Sequence, residues 1–169
     1  AESLYRRTLA SREKTLGPEH PDTLDSINTL ALLLDDLGNC TEGELLYRRA
    51  IAGREKVLGL EHLETLRSMA LLAGMLSRKG DLAGAEVLYR RTLVGREKAL
   101  GPEHPNTLMS VNNLALVISR NGHLAEALNL LRNYAVKSKA ALEGVRYNLA
   151  CYECLSGNLD EAKRLIAEY

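Results

Sequence analysis

The sequence predicts an all-α fold, an array of repeated helix pairs, and three observations carry that prediction. The stretch LYRRTLVGREKALGPEHPNTL at Leu88–Leu108 has near-copies at Leu4–Leu24 and Leu46–Leu66, offset by 42 residues each time. Thirteen of its twenty-one positions are identical in all three copies, which chance would not place at one fixed spacing, so the chain is a repeat array. Glycines close each apolar-periodic segment, and the composition, rich in Leu, Ala, Glu, Arg and Lys with only four Pro, favours helix.

The first element is a helix over Ala1–Leu16. Leu4, Leu9 and Leu16 recur at helical spacing, and Glu2 stands one turn before Arg6. The same acid-to-Arg pair returns at Glu44 with Arg48 and at Glu86 with Arg90, so this is the longer helix of the unit, helix B. Gly17 stops it, Pro18-Glu19-His20 makes a tight connection, and Pro21 fits the first turn of the next helix, where its missing N–H costs nothing. That shorter helix A runs from about Asp22 to Leu37 and ends at Gly38, with copies ending at Gly80 and Gly122. Each carries Leu-Ala, at Leu30-Ala31, Leu72-Ala73 and Leu114-Ala115, where a small residue lets two helices approach. Each following helix B has Gly43, Ala85 or Ala127, then Tyr47, Tyr89 or Leu131 four residues later.

The fourth unit breaks the period. Leu149-Ala150 follows Leu114-Ala115 by 35 residues because the Leu-Gly-Pro-Glu-His-Pro insertion is gone. Arg132–Ala141 is expected to hold a helix end and turn, Leu142–Leu155 a helix A, and Leu159–Tyr169 a helix B.

The order of small residue, Gly, small residue and aromatic resembles the tetratricopeptide repeat, and the added Arg-Glu-Lys, Leu-Gly and Pro-Glu-His-Pro resemble its 42-residue, kinesin light chain-like type. The resemblance implies a right-handed α-solenoid of antiparallel helix pairs over 1–169. It has an orphan helix B at 1–17, repeats at 18–59, 60–101 and 102–139, and a shorter repeat at 140–169. It implies protein–protein interaction, with the A helices lining a concave groove that receives an extended peptide. Counted from Ala31, Ala73, Ala115 and Ala150, the groove residues include Asp25, Asn28, Asp35 and Asp36; Arg67, Ser77 and Arg78; Met109, Asn112, Ser119 and Arg120; and Gly144, Tyr147, Cys151 and Cys154.

The peptide-binding candidates are Asn28, Asn112, Asn113 and Asn148, whose amides can bond a peptide backbone, and Arg67, Arg78 and Arg120, a basic centre suited to an acidic segment or a C-terminus. The alternative has the same Arg side chains pairing with A-helix acids such as Asp36. A rival of another class is a structural spacer or self-assembly arm that stacks through its terminal helices, aided by Leu60 and Leu63.

Other chemistry is disfavoured. His20, His62 and His104 recur once per repeat, too far apart to converge on one metal, and are expected to hold the inter-helix turns. Cys151 and Cys154 lack the second pair a structural zinc needs and read as two small residues on a helix A. No Ser-His-Asp order, phosphate loop or paired carboxylates appear, so neither an enzyme nor a cofactor or metal is expected.

The Arg6-Arg7, Arg48-Arg49 and Arg90-Arg91 doublets lie beside repeated Glu, and 22 basic against 22 acidic residues leave no net pull toward nucleic acid or membrane. Three cysteines without a framework, and no long apolar run, lead to the expectation of a cytoplasmic chain. It opens at Ala1 inside the repeat pattern and reads as a fragment of a larger scaffold or sensor protein.

Overall fold

The structure, a computed structural model, describes residues 1–137 and 139–167. Its described residues form nine helices and no strand: α1 (Glu2–Leu16), α2 (Pro21–Asp36), α3 (Cys40–Leu58), α4 (Leu63–Lys79), α5 (Leu82–Leu100), α6 (Pro105–Arg120), α7 (Leu124–Ala135), α8 (Lys139–Leu155) and α9 (Leu159–Ala167). Helices α2, α4, α6 and α8 are the A type, and the odd-numbered helices are the B type. The chain divides into two compact units, Ala1–Gly80 and Asp81–Tyr169, and the division falls between the A and B helices of the repeat at 60–101.

Within each unit consecutive helices pack on one another, and the A helices also touch, α2 on α4 and α6 on α8. Connections of a few residues favour antiparallel pairing of consecutive helices. The Leu-Ala pairs sit where the sequence places them: Leu30-Ala31, Leu72-Ala73, Leu114-Ala115 and Leu149-Ala150 are all buried. In the first unit Leu9, Leu24, Ile27, Leu30, Leu34 and Ala50 form one cluster. Each buried Leu or Ile contributes about 1.5–3 kcal/mol of transfer free energy.

The turns follow from the punctuation. After α2 the N–H of Gly38 bonds Asp35 O and that of Asn39 bonds Leu34 O, a closure that needs the positive φ of 81° at Gly38. At the other end of each A helix, His20, His62 and His104 are N-caps, their Nδ1 accepting from the backbone N–H of Asp22, Glu64 and Asn106 at 3.2, 3.2 and 3.1 Å. The once-per-repeat histidine therefore holds the turn between helices.

The last repeat differs in detail from its expected bounds. Helix α7 has 12 residues against 19 in α3 and α5, and α8 starts at Lys139 rather than Leu142. That start lacks the Pro and the His of the other A helices, and Ala140-Ala141 are strong helix formers. Helix α9 is described to Ala167, so the last two residues of the expected Leu159–Tyr169 helix lie outside the described residues.

Candidate functional site

In the Ala1–Gly80 unit, α2 and α4 frame an open depression of about 270 Å³ lined by Asp25, Asn28, Thr29, Leu32, Arg67 and Leu71. It brings together two of the candidates, Asn28 and Arg67. Asn28 forms part of its floor and is only 4% exposed. Its Nδ2 donates to Ser68 Oγ on α4 at 2.9 Å, while its Oδ1 is buried without a hydrogen-bond partner. One half of the carboxamide thus ties two A helices together instead of facing outward.

The three arginines are not a bare basic centre. Arg67, with its side chain 57% exposed, lies 3.2 Å from Glu64 and 3.9 Å from Asp25. Arg78 is ion-paired with Asp35, an A-helix acid whose side chain is only 4% exposed. The two pairs differ in weight. An exposed pair contributes about 0–1 kcal/mol and exchanges easily, whereas stripping the cation from a buried carboxylate is strongly unfavourable. The pairs of Arg67 are therefore the weaker ones, and the pair of Arg78 with Asp35 is the stronger.

In the Asp81–Tyr169 unit, Asn112 occupies the position in α6 that Asn28 holds in α2 and behaves alike. Its Nδ2 donates to Gly144 O on α8 at 2.8 Å, and its Oδ1 is again buried without a partner. Gly144 itself permits the approach, since a Cβ there would fall 2.4 Å from Leu108 Cδ1. Asn113 and Asn148 are half-buried, one residue further along their helices, and Arg120 is exposed at the end of α6. Met109, Leu116 and Tyr147 are exposed apolar side chains on this unit's A helices.

A feature that periodicity does not reveal joins the B helices to the A helices. Arg12, Arg54 and Arg96, the Arg of Arg-Glu-Lys in each copy, extend Nη1 to the backbone oxygen of Asp22, Glu64 and Asn106 at 2.9, 3.2 and 3.0 Å. The same nitrogens donate to Ser26, Ser68 and Ser110. The signal is present in the sequence, an Arg and a Ser fourteen residues apart in every copy. Sequence alone does not say that the two meet across a helix junction.

The outer charges balance as expected. Arg6 bonds Glu2 and Glu42, Arg48 bonds Glu44, Arg49 bonds Glu13, and Arg90 bonds Glu86 and Glu126. Hydrogen bonds from Arg6 hold the Glu42 carboxyl below the usual carboxylate range. In the last repeat Glu153, buried, accepts from Arg132 Nε and Nη2, each at 2.7 Å, and from Asn158 Nδ2 at 3.0 Å, which fixes the end of α8. Cys151 and Cys154 are free thiols, and the described residues contain no group of three or more His, Cys, Asp or Glu placed to hold a metal. No helix among them is long and apolar enough to cross a membrane.

A family model described as tetratricopeptide repeat matches residues 1–22, 23–64 and 65–106. Two crystal structures of a Podosopora anserina putative kinesin light chain with nearly identical TPR-like repeats are similar to the chain, each at 29% identity. The first has a TM-score of 0.85 over 98% of this chain and 82% of that one; the second, a point variant of the same repeats, has 0.86 over 99% and 82%. The crystal structure of BtubC (BKLC) from P. vanneervenii shares the fold at 20% identity, with a TM-score of 0.83 over 99% of this chain and 70% of that one. No curated protein sequence matches the chain significantly.

Proposed function

This chain belongs to the tetratricopeptide repeat family, whose members generally serve protein–protein interaction, and from that premise we propose that its A-helix face binds an extended peptide carrying an acidic residue. The observation that carries the reading is the depression between α2 and α4, where an exposed Arg67 stands over apolar Leu32 and Leu71 and beside the buried amide of Asn28. A peptide carboxylate would replace Glu64 and Asp25 at Arg67. The pairs it displaces are exposed and solvent-screened, about 0–1 kcal/mol each, so the exchange costs little. Arg120, Asn112, Asn113 and Asn148 are the corresponding candidates on α6 and α8, with Met109, Leu116 and Tyr147 suited to an apolar residue of the same peptide. Arg78 is assigned to the support of Asp35 and not to the ligand.

Affinity selection on a random peptide library tests this, using the wild type and Arg67→Glu, each checked for helicity. Enrichment of acidic peptides by the wild type and not by the variant is the expected result. Equal enrichment by both would remove Arg67 from the site.

A second reading, the self-assembling arm, is favoured by a separate observation: Leu4 and Leu16 on α1, and Leu159 and Ile166 on α9, are exposed apolar side chains on the end helices. Sedimentation across a wide concentration range distinguishes it, because stacking raises the mass with concentration and peptide binding does not.

A further inference from the structure

The two B helices of the Ala1–Gly80 unit carry the same side chains into different surroundings. One face of α3 lies on α2, where Tyr47 is fully buried and Leu46 and Ala50 pack against Leu24, Ile27, Leu30 and Leu34. Three cations of α3 each have an acid. Arg49 pairs with Glu13 of α1 at 2.6 Å, Lys56 with Glu19 of the connecting turn at 2.5 Å, and Arg54 with Asp25 of α2. Forty-two residues earlier the sequence has the same Leu4, Tyr5, Arg7, Arg12 and Lys14 on α1. Leu9 joins α1 to the α2 core, and another face of α1 is open, with a depression of about 580 Å³ lined by Leu4, Arg7, Thr8, Ala10, Ser11 and Arg12. Leu4 is 62% and Tyr5 40% exposed. Among the described residues no carboxylate pairs with Arg7, Arg12 or Lys14, and the bonds of Arg12 run from Nη1 alone, to Asp22 O and Ser26 Oγ.

One solvated cation needs no partner, since an exposed ion pair contributes little. Three cations around an uncovered apolar strip, each at a place where α3 has an acid, repeat a whole docking surface. We infer that this face of α1 docks a helical hairpin of another protein: two helices joined by a short turn, with an acid in the first helix, one in the turn and one in the second helix. On α3 the acids in those places are Glu13, Glu19 and Asp25, and they define where the partner's carboxylates meet Arg7, Lys14 and Arg12. The second helix of the partner lays an apolar stripe on Leu4 and Tyr5, as α2 lays Leu24, Ile27, Leu30 and Leu34 beside Leu46 and Ala50.

A folded second copy of the chain does not supply that hairpin, because its Glu13, Glu19 and Asp25 are already bonded to its own Arg49, Lys56 and Arg54. Nor is the surface a plain copy of α3. Ser11 stands where α3 has Gly53, and a Cβ at Gly53 would fall 2.6 Å from Leu24 Cδ2. The docking helix therefore carries a residue smaller than Leu at the place of Leu24. The α1 face shares no residue with the depression between α2 and α4, so the inference does not depend on the peptide-binding reading. It gives the α1 end a different partner from the self-assembly reading.

The probe is a fluorescent synthetic hairpin with the sequence of residues 4–39 and Leu24→Ala, stapled within each helix and checked for helicity before use. Its anisotropy is followed as the whole 169-residue chain is added. The wild type should bind it saturably, and Arg7→Glu should weaken binding about tenfold. Arg7 is exposed and bonded to nothing among the described residues, so that variant keeps its fold, which circular dichroism checks. A hairpin that also carries Glu13→Arg should recover the lost affinity on Arg7→Glu and lose it on the wild type. No binding of the helical probe to the wild type overturns the inference. So does binding that ignores Arg7→Glu, as displacement of the chain's own α1–α2 hairpin from α3 would. Self-association of the chain alone that Arg7→Glu abolishes assigns the face to a second copy, and overturns the inference while the self-assembly reading stands.

Discussion

At the scale of single residues, Tyr47 shows how a repeat position can be right for packing and wrong for polarity. Its ring is fully buried, as the small-residue-then-aromatic pattern requires, but its hydroxyl has no hydrogen-bond partner. Burial, then the nearby Asp35 charge, pushes its pKa from 10.0 up to about 12. The neutral phenol is the form favoured in the folded chain. The raised value therefore contributes stability that is fully present below pH 10 and is lost as the pH climbs to about 12, because the unfolded chain releases its proton first. The contribution is on the order of 2–3 kcal/mol. Tyr47→Phe should leave the alkaline limb of the urea midpoint flatter between pH 10 and about 12, and should raise stability at neutral pH by about 1 kcal/mol through removal of an unsatisfied buried group. An unchanged alkaline limb would show that folding does not raise the Tyr47 pKa. Ser68 is the opposite case, since it accepts from both Arg54 and Asn28 and donates to Glu64 O. Ser68→Ala should cost about 1–3 kcal/mol in chemical denaturation, more than loss of one exposed hydrogen bond. The repeat pattern marks Tyr47 as a core residue and leaves Ser68 without a role, because periodicity reports which face a side chain occupies and not which atoms meet it.

At the scale of elements, the helix boundaries were legible wherever the chain carries punctuation. Gly17, Gly59 and Gly101 end the B helices, and Pro21 and Pro105 open A helices behind a histidine cap. His104→Ala should cost about 1 kcal/mol and His104→Asn much less, since an Asn side chain can accept the same N–H; thermal unfolding measures both. If the two variants lose equally, the cap hydrogen bond is not what fixes the turn. Where punctuation is missing the expected boundary slips, as at the start of α8. The candidate site was less legible than the fold for a related reason. Counting back three from Ala31 reaches Asn28, which lines the depression, but the same residue borders α4, and a short side chain at that border bonds Ser68. Long side chains such as Arg67 and Arg78 span several candidate acids, so their partners are decided by three-dimensional register.

At the scale of the whole molecule, the repeat logic makes stability local. Each helix packs on its sequence neighbours and each A helix on the next within its unit, with no packing between helices distant in sequence among the described contacts of a unit. A chain built in this way has stability close to a sum of repeat and nearest-neighbour terms, so damage in one place need not unfold everything. Leu114 is a clean probe, being fully buried at the centre of α6 and remote in sequence from the Ala1–Gly80 unit. Leu114→Ala removes three carbons from a packed site and should cost about 2–5 kcal/mol. Native-state hydrogen exchange followed by mass spectrometry should then show faster exchange in α5–α8, while amides of α2 and α3 keep protection within about a factor of ten of the wild type. Two compact units account for that contrast: α6 packs on α5, α7 and α8, so the lost volume is felt there first, whereas the Leu24, Ile27, Leu30 and Leu34 cluster is left intact. Uniform acceleration from α1 to α8 would instead mean that the chain unfolds as one cooperative body, with the coupling between repeats outweighing the stability of either unit.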